Sequence, residues 1–285
     1  MGIVRIHKGK AMPVAIITGC SSGFGEAMAI AFADRGFQVI ATMRNPDAAS
    51  EKLKARAITK AADIVLAALD VTDEAARKAV IDLALSRFGS IDLLVNNAGV
   101  GARGSVEDTP DSQWRSMFDT NLFGPLELIR LVLPVMRAQG AGRVVNVTSV
   151  AAFLKTPFMA AYCASKHAFD TATAALDVET RSFGVRVVSV LPGPFKTALP
   201  NNSLDRAASA PYQAIAATFN ANFDGLEAKA PEDLSPVVEA ALAAATDADP
   251  KLRYPAGADV VPVLPPILQA LAPLEKIGLH LTGQD

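Results

Sequence analysis

Tyr162 and Lys166 stand four residues apart in "AAYCASKHAF", a stretch otherwise dominated by small and apolar residues, in a chain with only three tyrosines. At i and i+4 the two share one face of a helix. A free phenol titrates near ~10, too high to exchange protons efficiently at neutral pH. A nearby ammonium favours the phenolate and lowers that value, and a general acid works best with a pKa near the working pH. The pair is therefore expected to form a tuned proton donor or acceptor; the plainer reading is a pair of ordinary helix-surface residues. Ser149 lies thirteen residues before the tyrosine at the end of a strand-like run, where its hydroxyl could bond a substrate carbonyl.

A second cluster lies near the start. "TGCSSGFG" puts Gly19, Gly23 and Gly25 between an apolar run and a helical pattern. A strand feeding a helix through such a turn aims backbone N–H groups and the helix dipole at one point, which suits a pyrophosphate. Glycine is needed there because a Cβ would block close approach of the backbone to the phosphates. The bland alternative is a tight turn. About 20 residues on, an NAD site normally carries an acid for the ribose 2′-hydroxyl. Here the second run ends "ATMRN", with Met43 in that place, Arg44 next, and no acidic residue between Asp34 and Asp47. A carboxylate would repel a 2′-phosphate, whereas a guanidinium holds one in a two-pronged contact. The residues thus favour NADP(H) over NAD(H), unless Arg44 is a solvated loop charge.

These residues need a scaffold, and the chain supplies a regular one. Apolar runs at Val14–Thr18, Phe37–Met43, Asp63–Leu69, Ile91–Asn96, Arg143–Ser149 and Val185–Leu191 alternate with helical patterns at Gly25–Arg35, Asp73–Phe88, Asp111–Ala138 and Phe158–Phe183. Continuous rather than alternating apolar runs mean strands buried on both faces, as in a parallel sheet covered by helices. The expected fold class is α/β, a doubly wound parallel sheet in a single domain from residue 13 to 285. Residues 1–12 read as an extension or tag remnant. The stretch from Pro192 to about Pro231 breaks the rhythm and is read as a helical substrate lid over 195–230. The proline- and leucine-rich tail from Pro255 is open: an interface cover, a segment lying on the domain, or one that brushes a membrane surface.

Together these features resemble the short-chain dehydrogenase/reductase family, a Rossmann-type fold. The matching residues are "TGCSSGFG" at 18–25, "LDVTD" at 69–73, "NNAG" at 96–99, Asn121, Ser149, "YCASK" at 162–166 and "LPGPFKT" at 191–197. The resemblance is close over about residues 12–200. It implies that Tyr162 is the general acid in ketone reduction. Lys166 would lower its pKa and hold the nicotinamide ribose, Ser149 would orient the carbonyl, and Asn121 would complete a proton relay through a water. It implies cofactor contacts from Gly19, Ser21, Ser22, Gly23, Phe24 and Gly25 along the pyrophosphate and ribose, and from Asp70 and Val71 around the adenine. Asn97, Ala98 and Gly99 would line the cofactor, Thr197 would contact its nicotinamide or phosphate end, and Pro192, Gly193 and Phe195 would bind it as well. One departure bears on cofactor choice. Many NADP-preferring members carry a basic residue inside the glycine turn, where this chain has Cys20, Ser21 and Ser22, leaving Arg44 alone. "VIATMRNP" and the long C-terminal region are similar to hydroxysteroid- and retinol-type members, which implies a bulky apolar ketone or secondary alcohol as substrate. The family also implies a homodimer or homotetramer.

Two other readings compete. A sugar-nucleotide epimerase is disfavoured by the Gly-x3-Gly-x-Gly spacing and the missing NAD-type acid. A cofactor-binding sensor without turnover usually loses the tyrosine or lysine, and both remain here. The bulk numbers exclude more. A net charge of −2 with scattered Lys and Arg gives no basic face for nucleic acid. Two distant cysteines and three unclustered histidines form no metal or disulfide pattern, so reduced thiols in a cytoplasmic protein are expected and no metal is. No stretch reaches the ~18 apolar residues of a spanning helix.

Overall fold

The sheet forms from segments that water can reach from neither face. The computed structural model describes residues 12–58, 63–197, 199, 208–258 and 264–282. Its strands are β1 (Val14–Ile17), β2 (Gln38–Met43), β3 (Ile64–Ala68), β4 (Leu93–Asn96), β5 (Gly142–Val147), β6 (Val185–Pro192) and β7 (Arg253–Ala256). Every residue of β1, β4 and β5 is buried, which is what an unbroken apolar run requires. The strand order is β3-β2-β1-β4-β5-β6-β7 and all six pairings are parallel. The order reverses between β1 and β4, and in such sheets ligands bind in the crevice beyond the strand ends at that point.

The helices are α1 (Gly23–Asp34), α2 (Glu51–Ile58), α3 (Glu74–Phe88), α4 (Asp111–Phe118), α5 (Gly124–Gln139), α6 (Ala160–Arg181), α7 (Gln213–Lys229), α8 (Ser235–Thr246) and α9 (Leu264–Leu281). They make two apolar layers. On one face α1 and α8 pack Met28, Phe32, Val237 and Leu242 against the sheet. On the other, α3, α5 and α6 contribute Val80, Leu128, Met136 and Phe169. Among the described residues no helix is long and apolar enough to cross a membrane.

All six expected strands are present, with ends displaced by up to two residues. The helix expected across 111–138 is in fact two. α4 stops at Phe118, a π turn runs through Asp119–Phe123, and α5 begins at Gly124. The interruption has a local cause. The Asn121 side chain is buried and bonds both backbone groups of Val100, which widens the helix there. Gly124 then presses on the Val71 carbonyl, where a Cβ would come to 2.6 Å. β7 was not expected. Its four residues include Pro255, tolerated because the strand is at the sheet edge. α7 falls within the expected lid; positions 198 and 200–207 of that lid, and 1–11 of the expected extension, lie outside the described residues.

Candidate active site

The glycine turn between β1 and α1 is pressed against the chain leaving β4. Gly19 has φ +73°, and a Cβ on it would lie 2.9 Å from Ala98 Cα. A Cβ on Gly25 would strike the Gly19 carbonyl and sit 2.6 Å from Asn97 Nδ2. The Asn97 amide donates to the Thr18 carbonyl at 2.8 Å and the Gly19 carbonyl at 3.2 Å, and the Thr18 hydroxyl accepts from the backbone N–H groups of Asn97 and Ala98, both at 2.9 Å. Thr18 and Asn97 thus lock the two crevice walls together. Thr18 was not foreseen; a single threonine before a glycine carries no sequence signal of its own. Ser22 is the N-cap of α1 but makes no side-chain cap bond, so the first-turn N–H groups face the crevice without one. Cys20 is turned away into the core, donating to the Ile17 carbonyl, and burial raises its thiol to about 12.

Around this turn lie the other expected residues. A Cβ on Gly23 would meet Thr197 Cβ at 3.4 Å, which sets the chain after β6 over the turn. Phe195 packs edge-on to Phe24 with centroids 5.5 Å apart, and the Gly193 N–H is tied to the Ala256 carbonyl beside Pro192. Met43 is buried at the end of β2 and Arg44 is exposed, with no ion pair or hydrogen bond among the described residues. Ser21 is exposed as well. Burial works to raise the Asp70 carboxyl, but the Thr72 hydroxyl and amide outweigh it, helped by the charges of Arg44 and Arg77, and it is held below the usual carboxylate range. Val71 is buried, and its carbonyl accepts from Arg77 at 2.6 Å.

The third group meets at the start of α6. Ser149 follows β5, caps a short 3₁₀ turn by accepting from the Ala151 N–H at 3.1 Å, and its hydroxyl works to lower the Tyr162 phenol. Lys166 is 5% exposed and donates to the Val147 carbonyl at 3.1 Å. Its Nζ is 5.9 Å from the Tyr162 ring centroid. Gly99 leaves room beside it: a Cβ there would stand 3.2 Å from Asn121 Oδ1 and 3.5 Å from Lys166 Nζ. Asn121 is 1% exposed and both its amide protons are used, on the Val100 carbonyl at 2.9 Å and on Ser165 Oγ at 3.0 Å. Val100 and Ser165, which hold it, were not foreseen, since their roles appear only once α6 and the β4 loop meet.

One expectation differs in the cofactor-free chain. The Tyr162 phenol is not lowered by Lys166 but raised above its ordinary value, because burial disfavours the phenolate more than the Ser149 hydrogen bond favours it. Lys166 pays the same penalty and is depressed to about 8. The side-chain amide protons of Asn121 are both committed, to the Val100 carbonyl and to Ser165 Oγ.

The chain matches the short chain dehydrogenase family over residues 13–208. It belongs to the short-chain dehydrogenases. An uncharacterized oxidoreductase of Bacillus subtilis, YusZ, is 38% identical over 70% of each chain. The crystal structure of a short-chain dehydrogenase from Streptomyces avermitilis is similar over 98% of this chain and 100% of its own, with TM-score 0.79 and 32% identity. Two further solved structures differ in cofactor. A gluconate 5-dehydrogenase from Burkholderia cenocepacia holds NADP and tartrate (TM-score 0.73, 25% identity, 91% of this chain and 98% of its own). A 3-ketoacyl-(acyl-carrier-protein) reductase from Brucella melitensis holds NADH (TM-score 0.71, 27% identity, 85% and 96%). As a member of the short-chain dehydrogenases, this chain is an NAD(P)-dependent oxidoreductase acting between alcohol and carbonyl.

Proposed function

We propose that this short-chain dehydrogenase is an NADP(H)-dependent carbonyl reductase for bulky apolar ketones, running reversibly to the secondary alcohols. The observation that carries the reading is Lys166: a buried cation that donates to the Val147 carbonyl, set beside the Tyr162 ring. Such a cation lacks a counter-ion that a ligand would supply. The crevice fits a dinucleotide on its own terms, because a Cβ at Gly19 or Gly25 would fill it and α1 offers uncapped N–H groups. A bound nicotinamide supplies the hydride.

The chain's own residues do the rest. Gly19, Ser21, Ser22, Gly23, Phe24 and Gly25 line the phosphates, with Thr197 closing over them. Asp70 and Val71 border the adenine, and Asn97, Ala98 and Gly99 form the floor. Pro192, Gly193 and Phe195 stand at the nicotinamide end. Arg44, exposed just past the end of β2, would fork onto a 2′-phosphate. Ser149 bonds the carbonyl oxygen and Tyr162 protonates it. Lys166 would hold the ribose hydroxyls, whose oxygens accept from its ammonium and so favour its protonated form, which in turn draws the phenol down from the raised value it has alone. Asn121 acts through its main-chain carbonyl on a water next to Lys166. Two buried, unbonded cysteines suit a reducing, cytoplasmic setting.

The test is a fluorescence titration with NADPH and NADH, followed by turnover of a ketone panel by wild type and Tyr162→Phe. Tighter NADPH binding that Arg44→Ala weakens about tenfold, with turnover lost in Tyr162→Phe by about 10²–10⁴, is the expected outcome. Turnover indifferent to Tyr162→Phe would sink the mechanism, and tighter NADH binding would sink the cofactor assignment.

A further inference from the structure

α7 is a seventeen-residue helix with one buried residue, Ala216, so apolar packing alone holds it weakly to the body. Its firmest tie is Arg103, on the loop that leaves β4. The Arg103 side chain is 6% exposed, and its guanidinium forks to two carboxylates of α7: Nη1 to Asp224 at 2.7 Å and Nη2 to Glu227 at 2.5 Å. Between them the Phe223 ring lies under the guanidinium carbon at 4.2 Å. A planar cation gripped by a fork and an aromatic face is the strongest anchor arginine makes.

From Phe223 the aromatic row continues to Phe219 at 5.5 Å and to Phe158 at 5.3 Å. Phe158 is held with φ +58°, alone in that region among the described non-glycine residues, and its carbonyl accepts from the Gly104 N–H at 2.8 Å. Strain of that kind persists only where the surroundings fix it. Phe158 at one end of the row, and Arg103, which grips Phe223 at the other, belong to segments that flank Tyr162. Phe158 comes four residues before it, and Gly101, two before Arg103, lies so near that a Cβ there would be 4.0 Å from Tyr162 Cδ2.

We propose that Arg103 is a positioning residue that latches α7 against the two segments flanking Tyr162, so that Phe158, Phe219 and Phe223 form the wall receiving the apolar end of the substrate. The choice of substrate class rests on the carbonyl reductase reading; the latch itself does not.

Asp224 and Glu227 are half-exposed, so Asp224→Asn with Glu227→Gln removes the fork without emptying the core; Arg103→Lys, which cannot fork, is the milder companion. Hydrogen exchange of the full chain reads the latch without turnover. Amides of 213–229 exchange about tenfold faster in the double variant, less so in Arg103→Lys, while those of α3 do not change. Methyl ketones from ethyl to decyl read the wall. The double variant raises KM about tenfold for the decyl ketone and leaves KM for the ethyl ketone, kcat and NADPH affinity at wild-type values. Unchanged exchange overturns the latch whatever the kinetics. Faster exchange with a uniform loss of kcat along the series overturns the wall. If wild type reduces no ketone, the reductase reading and the wall fall together, and the exchange result alone decides the latch.

Discussion

α6 buries three ionisable side chains, Lys166, Asp170 and Asp177, and treats the first two oppositely. Nearly two turns past its start, Lys166 is sealed from water, donates to the Val147 carbonyl, and is depressed by burial to about 8. One turn further on, Asp170 is equally buried but faces Arg253 of β7, with Nη2 at 2.8 Å and Nε at 3.0 Å from Oδ2, and Oδ1 accepts from Ser189 at 3.0 Å. Arg253 in turn stands over the Phe153 ring. The same helix, in the same core, satisfies one ion and leaves the other without a counter-charge. Burying an unpaired charge costs stability, so its retention at the strand ends marks the place where a ligand completes the site.

The paired end is where the larger stability loss is expected. Asp170→Asn keeps the shape and a hydrogen bond to Ser189 but takes the buried carboxylate away from the Arg253 guanidinium, so it should destabilise the fold by about 3 kcal/mol. Urea unfolding at neutral pH checks it. A loss under about 1 kcal/mol would mean that water reaches Arg253 and that Lys166 and Asp170 do not differ as described.

The unpaired end should respond with the opposite sign. Lys166 has a folded-state pKa below its unfolded value near ~10.5, so below about 8 both states are protonated and the fold carries the full cost of the buried charge. Lys166→Met therefore stabilises the cofactor-free protein by about 1–3 kcal/mol at pH 7. Between about 8 and ~10.5 wild type sheds that proton on folding, its stability rises with pH, and the gap to the variant closes. Denaturant unfolding at pH 7 and pH 9.5 measures the closure. A variant less stable than wild type at pH 7 would show that the Val147 hydrogen bond outweighs the charge.

How much of this was legible follows the range of the interactions. Apolar runs such as Val14–Ile17 and Leu93–Asn96 announce buried strands because both faces need the same chemistry. Gly19, Ser149, Tyr162 and Lys166 stand out because few residue types can do their work at that spacing. The break in the helix at Asn121 could not be read, since it depends on Val100, distant in sequence, as does β7, a short proline-bearing edge. The direction of the Tyr162 shift failed for the same reason. Spacing shows that Lys166 is near, but only the packed core shows that burial outweighs it. Asp170 and Arg253 are 83 positions apart, so their pairing leaves no local mark at all.

The smallest effect sharpens the contrast most finely. Ser189 is fully buried and its hydroxyl donates to Asp170 Oδ1, an oxygen that Arg253 Nε also approaches at 3.2 Å. Ser189→Ala removes a donor from an anion that keeps its counter-ion, so the cost should be about 1 kcal/mol, the ordinary net worth of one hydrogen bond. Combined with Asp170→Asn, the two losses should fall short of their sum, because the serine's partner has already lost its charge. Strict additivity would mean that Ser189 acts through packing against β7 and not through the carboxylate. The ion pair between Asp170 and Arg253 would then owe nothing to the Ser189 hydroxyl.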